Sequence, residues 1–127
     1  MTTTDFDIQS VQPEAERYVG LQDGRAVAET ALLADDPLLW PDGRAGELLF
    51  LHKLAVVPAF QGSGVAAAML TVGAARARTL RKRYLRLGCA AERPKLRVFY
   101  ERHGFRWVGE RTVEGSDVAL YGRGARL

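Results

Sequence analysis

Along the first third of the chain, apolar and polar residues alternate with a period of two. Phe6 to Val11 reads as a short strand, and Arg17 to Leu21 with Ala26 to Leu33 reads as a hairpin turned at Asp23 and Gly24. An Asp-Gly pair favours that turn because both central residues must adopt positive φ. Ala34 to Gly46, with Asp35, Asp36, Pro37, Pro41, Asp42 and Gly43, is turn chemistry throughout and predicts an exposed loop. Glu47 to Val57 follows as an apolar strand ended by Pro58. From Gly64 the period lengthens. Ala66, Leu70, Gly73, Ala77 and Leu80 fall at helical spacing, as do Val65, Met69 and Val72, so a helix is predicted to about Arg83. Tyr84 to Cys89 alternates again, Pro94 to His103 is helical, and Gly104 supplies the left-handed cap that ends it. Phe105 to Val113 and Val118 to Gly122 read as two closing strands around Glu114, Gly115 and Ser116. This order predicts one domain over residues 1–127, a mixed α/β or α+β sheet covered by helices.

With 127 residues the chain is long enough to bury a core of its own. Its apolar runs, such as Leu48 to Leu51 and Val65 to Leu70, are too short to cross a bilayer, and MTTTDFDIQ has no basic-then-apolar leader pattern. The expectation is a cytoplasmic protein without a membrane partner. A single cysteine, Cys89, cannot form an internal disulfide, which agrees with a reducing compartment; it ends an apolar strand pattern and reads as a small buried filler. Charge is divided unevenly. Residues 1–50 carry ten acids against three bases (−7), and residues 51–127 carry five against fifteen (+10). A basic half suits a polyanionic partner, whether nucleic acid, a membrane surface or a phosphorylated cofactor.

Chemistry concentrates between Leu54 and Leu70, where a strand passes through Gln61, Gly62, Ser63 and Gly64 into a helix of small residues. Glycines let the backbone turn sharply and leave amides uncovered, and a helix start adds unpaired amides and the positive end of its dipole. Together these make a socket for phosphate. The glycines serve equally well as plain turn and packing residues. No Gly-Lys-Ser/Thr follows, and the third glycine of a dinucleotide fingerprint is absent, which argues against those two phosphate loops.

A second segment, Arg93 to Phe105, changes the balance. Together, the two segments resemble the GCN5-related N-acetyltransferase family, whose Gln/Arg-x-x-Gly-x-Gly/Ala loop is matched here by Gln61, Gly62, Ser63, Gly64, Val65 and Ala66. The family's tyrosine before a Gly-Phe turn is matched by Tyr100 ahead of Gly104 and Phe105. The resemblance is specific over Glu47 to Glu110 and weaker, as a hairpin, over Arg17 to Leu33. It implies a mainly antiparallel, twisted sheet that binds acetyl-coenzyme A as co-substrate, without a metal. It also implies transfer of the acyl group to a primary amine by direct attack in a ternary complex. Two departures stand out. Arg93 occupies a position where many relatives have a cofactor-touching asparagine, and only Gln12 to Glu16 stand where relatives insert two helices that wall the acceptor site. The acceptor side is then open or completed in a homodimer, and the acceptor is a small molecule or a peptide amine. The alternative is a catalytically inactive domain that keeps the fold and serves in acyl-CoA binding or regulation.

By the same resemblance, Tyr100 is the general acid at the departing thiolate. The pantetheine pairs with the strand at Leu54 and Val56, and the Val56 amide holds the developing oxyanion. Gln61 to Ala66 and Arg93 hold the cofactor. Candidate bases are His52, Glu47 and Glu29, with His52 preferred because a neutral imidazole accepts protons near pH 7. The competing reading of His52, a half-buried, hydrogen-bonded strand residue, is favoured over the base. Alternation places Phe50, His52, Leu54 and Val56 on one face. Asp35, Asp36, Asp42 and Glu47 hint at a cationic acceptor. Arg76, Arg78, Arg81, Lys82, Arg83 and Arg86 cluster at the end of the first helix. They read as a solvated face that complements the helix dipole, since Tyr84 is the one aromatic interleaved with them, and this argues against a nucleic-acid partner.

Overall fold

The computed structural model describes residues 6–12, 16–41 and 46–125. Seven strands form one sheet: β1 (Asp7–Gln12), β2 (Arg17–Gln22), β3 (Arg25–Leu33), β4 (Leu48–Val56), β5 (Tyr84–Ala90), β6 (Arg106–Val113) and β7 (Ser116–Gly124). Their order across the sheet is β1-β2-β3-β4-β5-β7-β6, and every neighbouring pair is antiparallel except β4 with β5. Helix α1 (Val65–Thr79) connects β4 to β5, and α2 (Pro94–Arg102) connects β5 to β6. Asp23 and Gly24 turn the β2–β3 hairpin at φ +51° and +77°, as an Asp-Gly pair is suited to do. Gln12 pairs with Arg17, so four residues link β1 to β2. Among the described residues, no helix is long and apolar enough to cross a membrane.

Both helices pack on the same face of the sheet. Leu49, Leu51, Leu85, Leu87 and Cys89 point toward them and meet Leu70, Ala74 and Ala77 of α1 and Tyr100 of α2. α1 lies close to the strands because Gly73 stands at the contact, where a β-carbon would come within 3.3 Å of Leu51 and 3.4 Å of Leu85. The other face is covered locally by Trp40, which packs with Leu48, Phe50 and Leu120. At the far end of α1, Arg76 forms a two-pronged hydrogen bond with Glu16, at 3.1 and 2.7 Å, and the Tyr18 hydroxyl donates to the same carboxylate at 2.7 Å. The Arg76 guanidinium holds the Glu16 carboxyl below its ordinary range.

α1 ends four residues earlier than its periodicity suggests. Lys82 N–H reaches back to the Ala77 carbonyl, and Arg81 takes φ +58°, closing the helix with a left-handed residue that is usually glycine. Nothing in the run Arg81, Lys82, Arg83 marks that stop.

Strict alternation along β4 also fails. Ala31 pairs with His52 and Glu29 with Ala55, so β4 carries one extra residue there, and Lys53 adopts φ +53°. A bulge of this kind bends the strand and reverses which side chains face which way. Phe50 keeps to the Trp40 side, whereas Leu54 and Val56 pack toward the helices with Val65 and Met69. The expectation that Phe50, His52, Leu54 and Val56 share one face is therefore corrected. Thr30, buried and 4% exposed, donates its hydroxyl to the His52 carbonyl at 3.1 Å beside the bulge. Thr30→Val removes that donor while keeping the shape. It is expected to lower the unfolding free energy by about 1 to 3 kcal/mol in urea titration, with the loss traceable to an unsatisfied carbonyl.

Candidate active site

The site is built where β4 and β5 part. Their parallel pairing runs only through Leu48 with Tyr84, Leu49 with Leu85 and Phe50 with Arg86. Beyond that point β5 remains paired with β7, and the β5-facing edge of β4 from Leu51 to Val56 has no strand partner. Val57 N–H donates to the Val27 carbonyl on the β3 side at 2.9 Å. Successive N–H groups of an extended strand point in opposite directions, so the Val56 amide points into the gap.

β4 then leads through a single 3-10 turn, Pro58–Phe60, into the glycine loop. Gln61 N–H is used by the Pro58 carbonyl and Ser63 N–H by the Phe60 carbonyl. The Ser63 hydroxyl lies 3.4 Å from the Val65 amide. Among the described residues, the amides of Gly62, Gly64, Ala66 and Ala67 have no acceptor. Gly62 and Gly64 sit at φ +81° and +97°, which turns these amides outward at little conformational cost, and a β-carbon on Gly62 would meet open space. The first turn of α1 holds no acidic residue, so the positive end of its dipole is uncompensated. Four free amides at the start of a 15-residue helix fit a diphosphate.

Tyr100 lies on α2, 4% exposed, with its ring against Phe99, Phe105 and Tyr121. Among the described residues its hydroxyl has no hydrogen-bond partner. Burial, reinforced by the neighbouring Cys89 thiol, pushes its pKa up to about 12. The Cys89 thiol is itself pushed up by burial and stays protonated near neutrality. Behind Tyr100, Tyr121 fixes α2 to β7. Its hydroxyl donates to Glu101 at 2.7 Å and accepts from Arg97 at 3.0 Å, while Arg97 also donates to the Ala91 carbonyl. This clamp lies outside the motif positions, and only the spacing of Arg97 and Glu101 on one helix face hints at it.

On the opposite face, His52 lines a depression of about 440 Å³ with Arg17, Glu29, Thr30, Ala31, Lys53 and Ala55. A second depression of about 360 Å³ shares Arg17, Glu29 and Ala55 with it and extends to Val56 and Val57. Glu29 is held by Arg17 at 2.6 Å. The fold thus places His52, Glu29 and Val56 along these depressions and leads β4 at Leu54 and Val56 into the loop Gln61 to Ala66, while Tyr100 packs on the helix-covered face in the cluster that Leu54 packs against. It does not bring Glu47 there. Glu47 sits at the paired end of β4, where its carboxylate accepts from Arg83 at 3.2 Å. Arg93 is the exposed N-cap residue of α2, and its carbonyl accepts from Leu96 and Arg97. Asp35 and Asp36 follow β3, and Asp42 lies outside the described residues. Among the described residues, no group of three or more His, Cys, Asp or Glu side chains converges as a metal site would require.

Residues 2–105 match the model of the Acetyltransferase (GNAT) family. The chain belongs to that family. A relative from Bacillus subtilis (strain 168), named as the uncharacterized N-acetyltransferase YesJ, is 35% identical over 74 residues, a match that takes in 58% of this chain and 41% of that one. The fold is shared with a GNAT family acetyltransferase from Elizabethkingia anophelis with acetyl-CoA bound. The TM-score is 0.74 and the identity 17%, over 88% of this chain and 77% of that one. It is shared as well with Ard1 from Thermoplasma volcanium, at TM-score 0.73 and 16% identity over 86% of this chain and 70% of that one.

The ionisation of Tyr100 gives a stability test. The buried phenol ionises near 12, against 10.0 in an unperturbed tyrosine. Stability tied to the neutral form is complete below pH 10 and is lost as pH rises toward 12. Across that window, wild type is expected to lose about 2 to 3 kcal/mol more unfolding free energy than Tyr100→Phe, read by denaturant titration at each pH.

Proposed function

We propose that this GNAT domain is an amine N-acetyltransferase that uses acetyl-CoA and transfers the acetyl group by direct attack of a primary amine within a ternary complex. The observation that carries this reading is the pair of features at the end of β4: an unpaired strand edge and, directly after it, four unused amides at a helix start. The acetyl-CoA in the Elizabethkingia relative supports the choice of co-substrate.

The diphosphate is held by the amides of Gly62, Gly64, Ala66 and Ala67, with Gln61, Ser63 and Val65 shaping the loop. The pantetheine arm adds to the open edge of β4 at Leu54 and Val56, as an extra strand would. Arg93, exposed at the start of α2, is a cation available to the cofactor. The Val56 amide points into the gap, where a fixed donor stabilises negative charge developing on the acyl oxygen. Tyr100, protonated throughout the physiological range, donates its proton to the departing thiolate.

The amine approaches from the opposite face, over the trough lined by His52 and Glu29. His52 is the better base of the two, since the Glu29 carboxylate is engaged by Arg17. Only four residues separate β1 from β2, too few for a pair of helices that would wall the trough, which suits an acceptor carried on a peptide as well as a small amine.

Calorimetry with acetyl-CoA and mass-spectrometric detection of acetylated product across a panel of amines and peptides test this function. Wild type is expected to bind and to turn over. Binding without turnover on any acceptor would favour a regulatory domain, and absence of binding would overturn the reading. Tyr100→Phe is expected to lower kcat by about tenfold to a hundredfold with little change in acetyl-CoA affinity. Gly64→Val, which forces a β-branched residue to φ +97°, is expected to weaken acetyl-CoA binding by about tenfold or more while Tyr100 chemistry is untouched.

A further inference from the structure

At the other end of α1, about 22 Å along the helix axis from the glycine loop, the fold closes a second cationic cavity. It measures about 690 Å³ and is lined by Arg78, Arg81, Lys82, Arg83, Tyr84 and Gly124. Of its four cations, only Arg83 has a carboxylate partner among the described residues, Glu47. Arg78 and Lys82 donate to the carbonyls of Ala125 and Gly46, both at 3.3 Å, which are neutral acceptors. The Arg81 side chain has no hydrogen-bond or ion-pair partner among the described residues.

Complementing the helix dipole accounts for Arg78, which lies in the last turn. It does not account for three successive cations beyond that turn, whose mutual repulsion works against folding. Nor does it account for an arginine at φ +58°, where glycine would be less strained. The cavity also holds an aromatic surface. Tyr84 is 42% exposed, and the Arg86 guanidinium stacks 5.5 Å from its ring centre and 4.8 Å from that of Trp40. The Arg86 guanidinium thus lies over both rings. In the linear sequence Tyr84 is one aromatic beside a run of charges; the fold sets it with Arg78, Arg81, Lys82 and Arg83 along one cavity.

The geometry points to a nucleotide-binding site: phosphate held by Arg78, Arg81 and Lys82, with a planar base stacked on Tyr84. The nucleotide is either free or part of a single strand. This site is separate from the acetyl-CoA loop and does not depend on acetyl transfer.

Uridine diphosphate, an eight-residue oligouridylate and inorganic pyrophosphate, each titrated into the intact chain at about 50 mM salt, form the test. Wild type is expected to bind the diphosphate, the oligonucleotide or both. Arg81→Glu should weaken them at least tenfold, or Arg81→Gln at least threefold should the reversed charge prevent folding. Tyr84→Ala should weaken both uridine ligands at least threefold and leave pyrophosphate unchanged, which separates stacking from charge. An oligonucleotide at least tenfold tighter than the diphosphate identifies the strand as the ligand, and equal affinities identify the free nucleotide; both support the site. Failure of both uridine ligands to bind at 1 mM, binding indifferent to Arg81 and Tyr84 variants, or binding abolished by Gly64→Val would overturn it. Acetyl-CoA affinity measured on Arg81→Glu is expected to equal that of wild type, so failure here and failure of the acetyltransferase reading are read separately.

Discussion

A strand interior to a sheet cannot leave one edge unpaired without something else meeting its main-chain groups. β4 does so from Leu51 to Val56, because its parallel neighbour leaves it after the pairing of Phe50 with Arg86. Water or an extended ligand must take the vacated positions. The rest of the site follows from that parting. The bulge at Lys53 bends β4, the strand ends in a glycine loop, and the first turn of α1 holds the Ala66 and Ala67 amides, which no side chain among the described residues claims. The sheet therefore offers an edge for an arm and, in line with it, a socket for phosphate.

Two supports hold this arrangement open. α1 is pinned at its near end by Val65 and Met69 against Val27 and Ala28, and at its far end by the Arg76–Glu16 pair. α2 is fixed by the Tyr121 hydroxyl, which ties Arg97 and Glu101 to β7 and sets the Tyr100 ring against the core. Tyr100 is buried enough to remain a neutral donor at physiological pH while its hydroxyl is left without a partner among the described residues. A hydroxyl already engaged would have to break a bond before giving up its proton, so this freedom is chemically useful.

Much of the fold was legible because local rules and tertiary packing agree. Period-two alternation, the Asp23-Gly24 turn and the small residues of α1 each point to the element that forms. The glycine loop was legible for the same reason, since only glycine tolerates Gly62 and Gly64 conformations without strain. What stayed hidden depends on neighbours. The bulge at Lys53 has no glycine to announce it, so alternation carried past it assigns Leu54 and Val56 to the wrong face. The end of α1 at a left-handed Arg81 breaks the preference for glycine there. Glu47 reads like a site residue from its strand alone, yet the partner that engages it, Arg83, is brought beside it only by the β4–β5 crossover. Pairing of Glu29 with Arg17 likewise emerges only when β2 and β3 are in register.

The central claim is that the unused amides of the loop and helix start receive a diphosphate. Titration of isotope-labelled protein with coenzyme A, followed by amide resonances, tests it most directly. The account predicts large, saturable shifts at Gly62, Gly64, Ala66 and Ala67 together with Val56, while Ser63, whose amide is already bonded within the loop, moves less. Shifts that leave those residues still, or that gather at a different part of the sheet, would contradict it.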